Sequence, residues 1–594
     1  MRIEAEFASA FDFHQRGLLN EAQARYDKVL VADPKHVNAL HLRGVLAFQS
    51  GDAHLAAKLI SRAIALFPKD AGFHCNLGNA QQALGQYDAA LASYSKAIVI
   101  DRNEAFAYFS RGNVYRHLKK LDNAIADFGQ AISIDHSMFD AHLGLGFAHA
   151  ELSHFELAVA SFDRALALQP QHAEAHTARG NALYKLEKFD AAITAYEKAI
   201  ALDPSNAEIH FNHGVAQARR GSIKAAIASY DRAITIKPNY AQAYLNRGLL
   251  RHDLMRVDDA IADFDSAIAI KPDFTESKWN KALSLLLRGD YLKGWELFEY
   301  RHHKDVEVSP RNFSQPLWVG QADLAGKTIL LHSEQGLGDT IQFFRYATLV
   351  ADRAAAVILE VEQSLVELLT DLNGPYHIIA KGAVLPAFDY QCPLMSLPHA
   401  FKSELSTIPV DIPYLRANHE KAEAWQKRLG PKTTPRVGLV WSGGVPIFRP
   451  QWATPVVRNM SFPQIATLNV PSIEFYSLQK GEPGESDALR LREEYWKGGN
   501  FINVAGDIRN FADTASVIAN LDLVVTVDTS VAHLAGAMGK PVWILNRFNT
   551  CWRWLQDRTD SPWYPSARIY RQTDIGDWGP VLDSVKSDLL KLQV

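Results

Sequence analysis

A step of 34 residues organises the first half of the chain. Proline or its substitute recurs at Pro34, Pro68, Arg102, His136, Pro170, Pro204, Pro238 and Pro272. Glycine keeps the same step at Gly44, Gly78, Gly112, Gly146, Gly180, Gly214 and Gly248, and alanine at Ala63, Ala97, Ala131, Ala165, Ala199, Ala233 and Ala267. An aromatic register runs through Tyr94, Phe128, Phe162, Tyr196, Tyr230 and Phe264. Four coincident registers specify one repeated helix-turn-helix unit that must bury its apolar face against its neighbours. The small residues let paired helices approach, the aromatic fills the gap between them, and proline ends the second helix.

These registers are similar to those of the tetratricopeptide repeat (TPR), of which about nine copies are expected over residues 3–306 as a right-handed solenoid with a concave groove. Asparagine marks the first helices. Asn76, Asn212, Asn246 and Asn280 precede the glycine position by two residues, and Asn79, Asn113 and Asn181 follow it by one. In TPR superhelices such positions line the inner surface, where an amide both donates to and accepts from the backbone of an extended peptide. The plainer alternative is a polar residue tolerated on a solvated helix face.

At 594 residues the chain is too long for one core, and its 47% hydrophobic and 22% charged composition is that of a globular protein. A net charge of -4 gives no electrostatic reason to expect nucleic acid or an anionic membrane. Cys75, Cys392 and Cys551 are few and widely spaced, which favours a reducing compartment. The first residues have no apolar core of signal-peptide length, and no uncharged apolar run follows that could span a bilayer, so a cytoplasmic location is expected.

After residue 306 the pattern changes. A Pro-containing linker is expected over 307–325, then two series of short apolar strands alternating with helices, over 326–425 and 426–594, with a loop near 411–434 between them. This is an α + α/β chain in which two Rossmann-like domains face a ligand cleft. The last helix is expected to cross back onto the first of them.

The stretch "VVTVDTSVAHLAGAMG" reads as a strand, a turn at Asp528, Thr529 and Ser530, and a helix carrying His533 in its first turns. Free amides at a helix start beside hydroxyls make an anion site, with phosphate the natural ligand. Residues alone leave open a simple N-cap with a packed histidine. In "SEQGLGDTIQFFRYA", Gly336 and Gly338 permit a tight turn and close substrate approach, and Asp339 either caps the next helix or serves as a base.

Taken in order, "GLGDTIQFFRYA", "GLVWSG", "NFADTA", "VDTSVAHLAGA" and "DSPWYP" resemble the heptosyltransferase-like glycosyltransferases, which have the two-domain GT-B fold. The whole chain is similar to bacterial proteins in which TPRs precede such a module, including the flagellin glycosyltransferases. The resemblance implies a nucleotide-sugar donor held by Asp528, Thr529, Ser530 and His533, with Asp339 as base and Glu334 as the second choice. It implies a basic residue near the phosphates, Arg458 ahead of Arg449. Gln479 and Lys480, after a strand, are expected at the nucleobase or ribose. Neither a metal nor a cofactor is required by it.

Three function classes follow. The first is a protein O-glycosyltransferase that recruits flagellin through its repeats and transfers a sugar, a nonulosonic acid such as pseudaminic acid or a hexosamine, to Ser or Thr. The second is a transferase acting on a lipid-linked or polysaccharide acceptor. The third is a non-enzymatic TPR adaptor or chaperone with a degenerate transferase domain, to which the altered 445–460 loop and Cys551 lend weight.

Overall fold

A computed structural model describes residues 2–303, 311–372, 374–444 and 458–592. The chain divides into two compact units, Met1–Ile236 and Lys237–Val594.

The first unit is all helix, in successive pairs from Arg2–Gln15 with Leu19–Ala32 to Ala207–Arg220 with Ile223–Ile236. The expected registers form its core. Ala97, Ala131 and Ala165 are fully buried, and a Cβ at Gly78 or Gly180 would lie 2.6 or 2.7 Å from the ring of Tyr94 or Tyr196, so only glycine admits the aromatic. A further device repeats here. His74, His176 and His210 each donate Nε2–H to the carbonyl of Pro68, Pro170 or Pro204, at 3.1, 2.9 and 3.1 Å. A carbonyl can only accept, which fixes the tautomer and ties each first helix to the turn before it.

The second unit opens with four more repeat-like helices, Ala241–Asp253, Val257–Ile270, Thr275–Arg288 and Tyr291–Phe298. The compact units therefore divide after Ile236, inside the stretch expected as repeats. The reason is packing. Trp295 is 1% exposed and meets Phe343 and Trp552 at 6.0 and 5.2 Å, and Trp563 donates its indole N–H to the Tyr291 hydroxyl at 3.1 Å. Arg301, fully buried, bonds Glu334 and Ser396. These last repeats are part of the α/β core.

Two parallel sheets follow. The first comprises β1 (Thr328–His332), β2 (Ala356–Val361), β3 (Tyr376–Ala380) and β4 (Tyr390–Pro393), in the order β3-β2-β1-β4. The second comprises β5 (Arg436–Val440), β6 (Glu474–Ser477), β7 (Phe501–Asn503), β8 (Leu523–Val527), β9 (Val542–Asn546) and β10 (Ala567–Arg571), in the order β10-β9-β8-β5-β6-β7. All named pairings are parallel, β1 and β8 being buried almost throughout, as expected of strands covered on both faces. Strand order reverses beside β1 and beside β5 with β8, so crevices open beyond the C-terminal ends of those strands.

Three further expectations are corrected. Of the supposed linker, residues 304–310 lie outside the described residues, but 311–325 are built into the first sheet: Leu317 bridges Gln391 of β4, and Trp318 is 1% exposed. The loop at 411–434 contains the helix His419–Leu429, which Asn418 caps by accepting from the Lys421 amide. The last helix, Gly579–Leu589, stays on the second sheet, because Val581, Leu582, Val585 and Leu589 join the core of Val437, Phe475 and Val525.

Candidate functional site

The loops after β1, β5 and β8 meet around a cavity of about 710 Å³. Its wall includes Gln335 to Asp339, Ser442 to Gly444, Asn510, Asp528 to Val531 and His533. The helices Leu337–Phe344, Phe511–Ala519 and Ser530–Ala537 all begin there and point their positive ends at it. Among the described residues its charged side chains are five cations (Arg458, Lys480, Arg509, Arg547 and Arg553) and two carboxylates (Asp339 and Asp528), so an anion is drawn into a cavity whose parent chain is acidic.

Close backbone approach packs these loops against one another. A Cβ on Gly338 would lie 2.8 Å from His533 Cδ2, and one on Gly443 would lie 3.0 Å from Thr529 Cγ2. Glycine at 338 therefore serves the seam between the domains. Gly336 is the N-cap of Leu337–Phe344, and its amide donates to Asp339 Oδ2 at 2.9 Å. The other Asp339 oxygen accepts from Arg553 Nη2. Arg553 in turn donates Nε–H to Gln342 at 2.9 Å and lies 4.2 Å over the Trp552 ring. Asp339 is thus both the helix cap and a cavity-lining carboxylate, held by an arginine 214 residues away.

Asp528, Thr529 and Ser530 stand together at the start of Ser530–Ala537. Thr529 shares a hydroxyl bond of 3.0 Å with Thr526, leaving the first helical amides without a side-chain cap. Burial alone would raise the Asp528 carboxyl, but His533, Arg458, Arg553 and Arg547 around it bring it below the usual range. His533 is 4% exposed, bonded through Nδ1 to the Tyr564 hydroxyl at 2.9 Å and stacked on Trp554 at 5.4 Å. Burial lowers its pKa to about 3, so at neutral pH it is an uncharged imidazole.

Other expected residues fall elsewhere. Glu334 is not among the lining residues; it lies beneath them, paired with Arg301 at 2.8 Å and His302 at 3.3 Å, and burial pushes its carboxyl up. Gln479 is 2% exposed and uses its whole amide internally, accepting from the Trp441 and Ser442 amides and donating to the Ser442 and Lys480 carbonyls. It ties the end of β6 to the end of β5. Lys480 does line the cavity, its ammonium on the Ala505 carbonyl at 3.0 Å. Arg458 lines it beside Gly443 and bonds the Gly444 carbonyl, whereas Arg449 lies outside the described residues. Arg547, which the reading of motifs missed, follows β9; its place just past a strand end was the available signal.

The asparagines divide similarly. Asn79 and Asn181 accept from the Tyr94 and Tyr196 hydroxyls at 2.8 and 2.7 Å, and Asn212 donates to Asn181 at 3.3 Å. Asn76 pairs with His41 at 2.9 Å, and Asn113 is half-buried. In the second unit Asn246 is 7% exposed and accepts from Gln242, and Asn280 donates to the Glu276 carbonyl of its own helix. Among the described residues no cluster of three His, Cys, Asp or Glu side chains could hold a metal ion, and no helix is long and apolar enough to cross a membrane.

Comparison with known proteins adds four findings. Tetratricopeptide repeat models match residues 12–71, 71–104, 143–185, 177–241 and 241–274, and a TPR repeat model matches 112–153. The model described as glycosyltransferase family 9 (heptosyltransferase) matches 483–547, which contains the Asp528 turn, His533 and Arg547. Protein FlbA of Caulobacter vibrioides is 28% identical over 340 residues, 52% of this chain and 54% of that protein, so the chain spans about half the length of this relative. Similar solved structures are those of YrrB, titled a TPR protein with an unusual peptide-binding site (24% identity, 31% of this chain and 95% of that one, TM-score 0.29), and of MamA (27% identity, 28% and 96%, TM-score 0.26). The repeat matches and the family 9 match together support a TPR-containing glycosyltransferase.

Proposed function

We propose that the chain is a protein O-glycosyltransferase of GT-B architecture, acting in the cytoplasm without a metal, that recruits flagellin through its repeats and transfers a sugar from a nucleotide sugar to Ser or Thr. The observation that carries the reading is the cavity itself, where the uncapped helix start at Asp528 to Ser530, four arginines and a neutral His533 face a carboxylate across a glycine seam. The acceptor hydroxyl attacks the anomeric carbon and gives its proton to Asp339. The bond from that carbon to the nucleotide phosphate breaks, and its electron pair leaves with the phosphate, which the helix amides, Ser530, Arg458 and Arg547 stabilise. The donor phosphate takes Arg553 as its partner, which leaves that Asp339 oxygen open to accept the proton. Glu334, beneath the cavity, positions the loop and does not take the proton.

A nonulosonic acid carried on CMP is the preferred donor, after the resemblance to flagellin glycosyltransferases. The test incubates the purified chain with flagellin and, in turn, CMP-pseudaminic acid, UDP-N-acetylglucosamine, GDP-mannose and ADP-heptose, and reads the intact mass of flagellin. A mass gain of one sugar with one donor, absent with Asp339→Asn, is expected. No gain with any donor would sink the reading. The pairing of both Asp339 oxygens favours one second reading, a non-enzymatic adaptor in which the carboxylate is only a cap and ion-pair partner.

A further inference from the structure

The register one residue after the glycine position holds an amide at Asn79, Asn113 and Asn181 and an apolar residue at Val45, Phe147, Val215, Leu249 and, in the last repeat, Leu283. Leu283 and Trp279, one turn earlier on Thr275–Arg288, are half-buried and line the same cavity as Asp339, backed by Phe298 and flanked by Met395. A chain of ring contacts fixes which side they occupy. Trp279 lies 4.9 Å from Phe298, Phe298 lies 6.3 Å from Trp552, and Trp552 carries the guanidinium of Arg553, the partner of Asp339. The apolar wall is therefore on the Asp339 side, where the attacking hydroxyl must be. Lys480 and Ile508 line the cavity from beyond the ends of β6 and β7.

We infer that Trp279 and Leu283 of the last repeat form an apolar acceptor subsite, taking a hydrophobic side chain of the polypeptide within about two residues of the hydroxyl that is modified. The occupant is polypeptide because the acceptor proposed above is a protein and this wall of the cavity is supplied by a repeat helix, Thr275–Arg288, and not by either sheet. At Asn280 the amide turns back to its own helix at 2.8 Å, so the segment is read there by apolar contact. The last repeat is then one wall of the site that sets sequence preference around the acceptor. This inference rests on the protein-acceptor reading above.

The test uses the immobilised full-length chain and a degenerate nonapeptide pool with Ser or Thr fixed at the centre, the retained peptides being sequenced by mass spectrometry. Leu283→Asn, which installs the amide found at Asn79, Asn113 and Asn181, is the paired variant, and Trp279→Ala replaces it if its melting temperature falls. Leu, Val, Met or Phe should be enriched about tenfold at one position beside the hydroxyl, the scale of burying one aliphatic side chain, and the enrichment should vanish in the variant. Retained peptides with no apolar preference, or with one the variant leaves unchanged, would overturn the subsite alone. No retained peptide at all would overturn the protein-acceptor reading and the subsite with it.

Discussion

Replacing Arg301 by methionine should destabilise the second unit severely. Its guanidinium is fully buried, donating to Glu299 at 2.7 Å, to Glu334 at 2.8 Å, to Ser396 at 2.6 Å and to the Phe298 carbonyl at 3.2 Å. The Glu334 side chain is 5% exposed and that of Glu299 19%. Removing the cation leaves two neighbouring carboxylates with little water to replace it, a loss on the order of 3–5 kcal/mol. Most small domains have only about 5–15 kcal/mol in total. Urea unfolding followed by tryptophan fluorescence reads this directly, since Trp295, Trp552 and Trp563 share that core. Adding Glu334→Gln to Arg301→Met should restore about half of the loss, because one uncompensated charge has gone. The sign with pH is fixed too. Burial raises the folded pKa of Glu334, so its protonated form favours the folded state, and that contribution is lost as pH rises above the unfolded carboxyl value. Without Arg301 the rise is larger, so the penalty should be greater at pH 8 than at pH 5. A loss under about 1 kcal/mol, or a double variant no better than the single, would refute the reasoning.

Four shorter predictions follow from the same geometry. A fragment beginning at Lys237 should fold, whereas one beginning at residue 301 should not, because it loses Tyr291, Trp295 and Phe298; circular dichroism melts of the two decide it. Gly338→Ala should cost about 1–3 kcal/mol, since its Cβ meets His533 at 2.8 Å, and should weaken nucleotide binding measured by calorimetry. His533, His302 and His332 are held neutral by burial, with pKa values lowered to about 3, 3 and 4. The unfolded chain protonates them near pH 6.5, so each should remove about 1.4 kcal/mol per unit as pH falls from there towards its folded value, a slope that denaturant melts across pH 4–7 would show. Arg553→Gln should lower the transfer rate by removing the partner that holds Asp339 at the cavity wall, and an unchanged rate would count against their coupling.

The repeats were legible because a strict period places glycine, alanine and aromatic residues in contact with one another, so local sequence and tertiary packing carry the same signal. The helix His419–Leu429 is equally marked, by Asn418 and Gly430, inside a stretch whose composition reads as a connection. What sequence did not disclose are partnerships between distant residues. Arg301 bonds Ser396 across 95 residues and Arg553 bonds Asp339 across 214, with no periodicity to announce them. Gln479 illustrates the converse: a polar residue just past a strand reads as a ligand contact until its amide is found fully used in joining two strand ends. The division after Ile236 was hidden because helices in the TPR register continue past it and only their packing partners change.

The central claim is that the turn at Asp528 to Ser530 holds the phosphate of a nucleotide donor. Thermal shift of the full-length chain with CMP, UDP, GDP and ADP tests it most directly, with Arg458→Ala as the control because His533 is a packed core residue whose loss would itself lower the melting temperature. A ligand that binds only the folded state must raise apparent stability, by about 2.7 kcal/mol at a hundred times its Kd. One nucleotide, expected to be CMP, should raise the melting temperature in the parent chain and much less in the variant. No shift with any of the four at millimolar concentration would contradict the account.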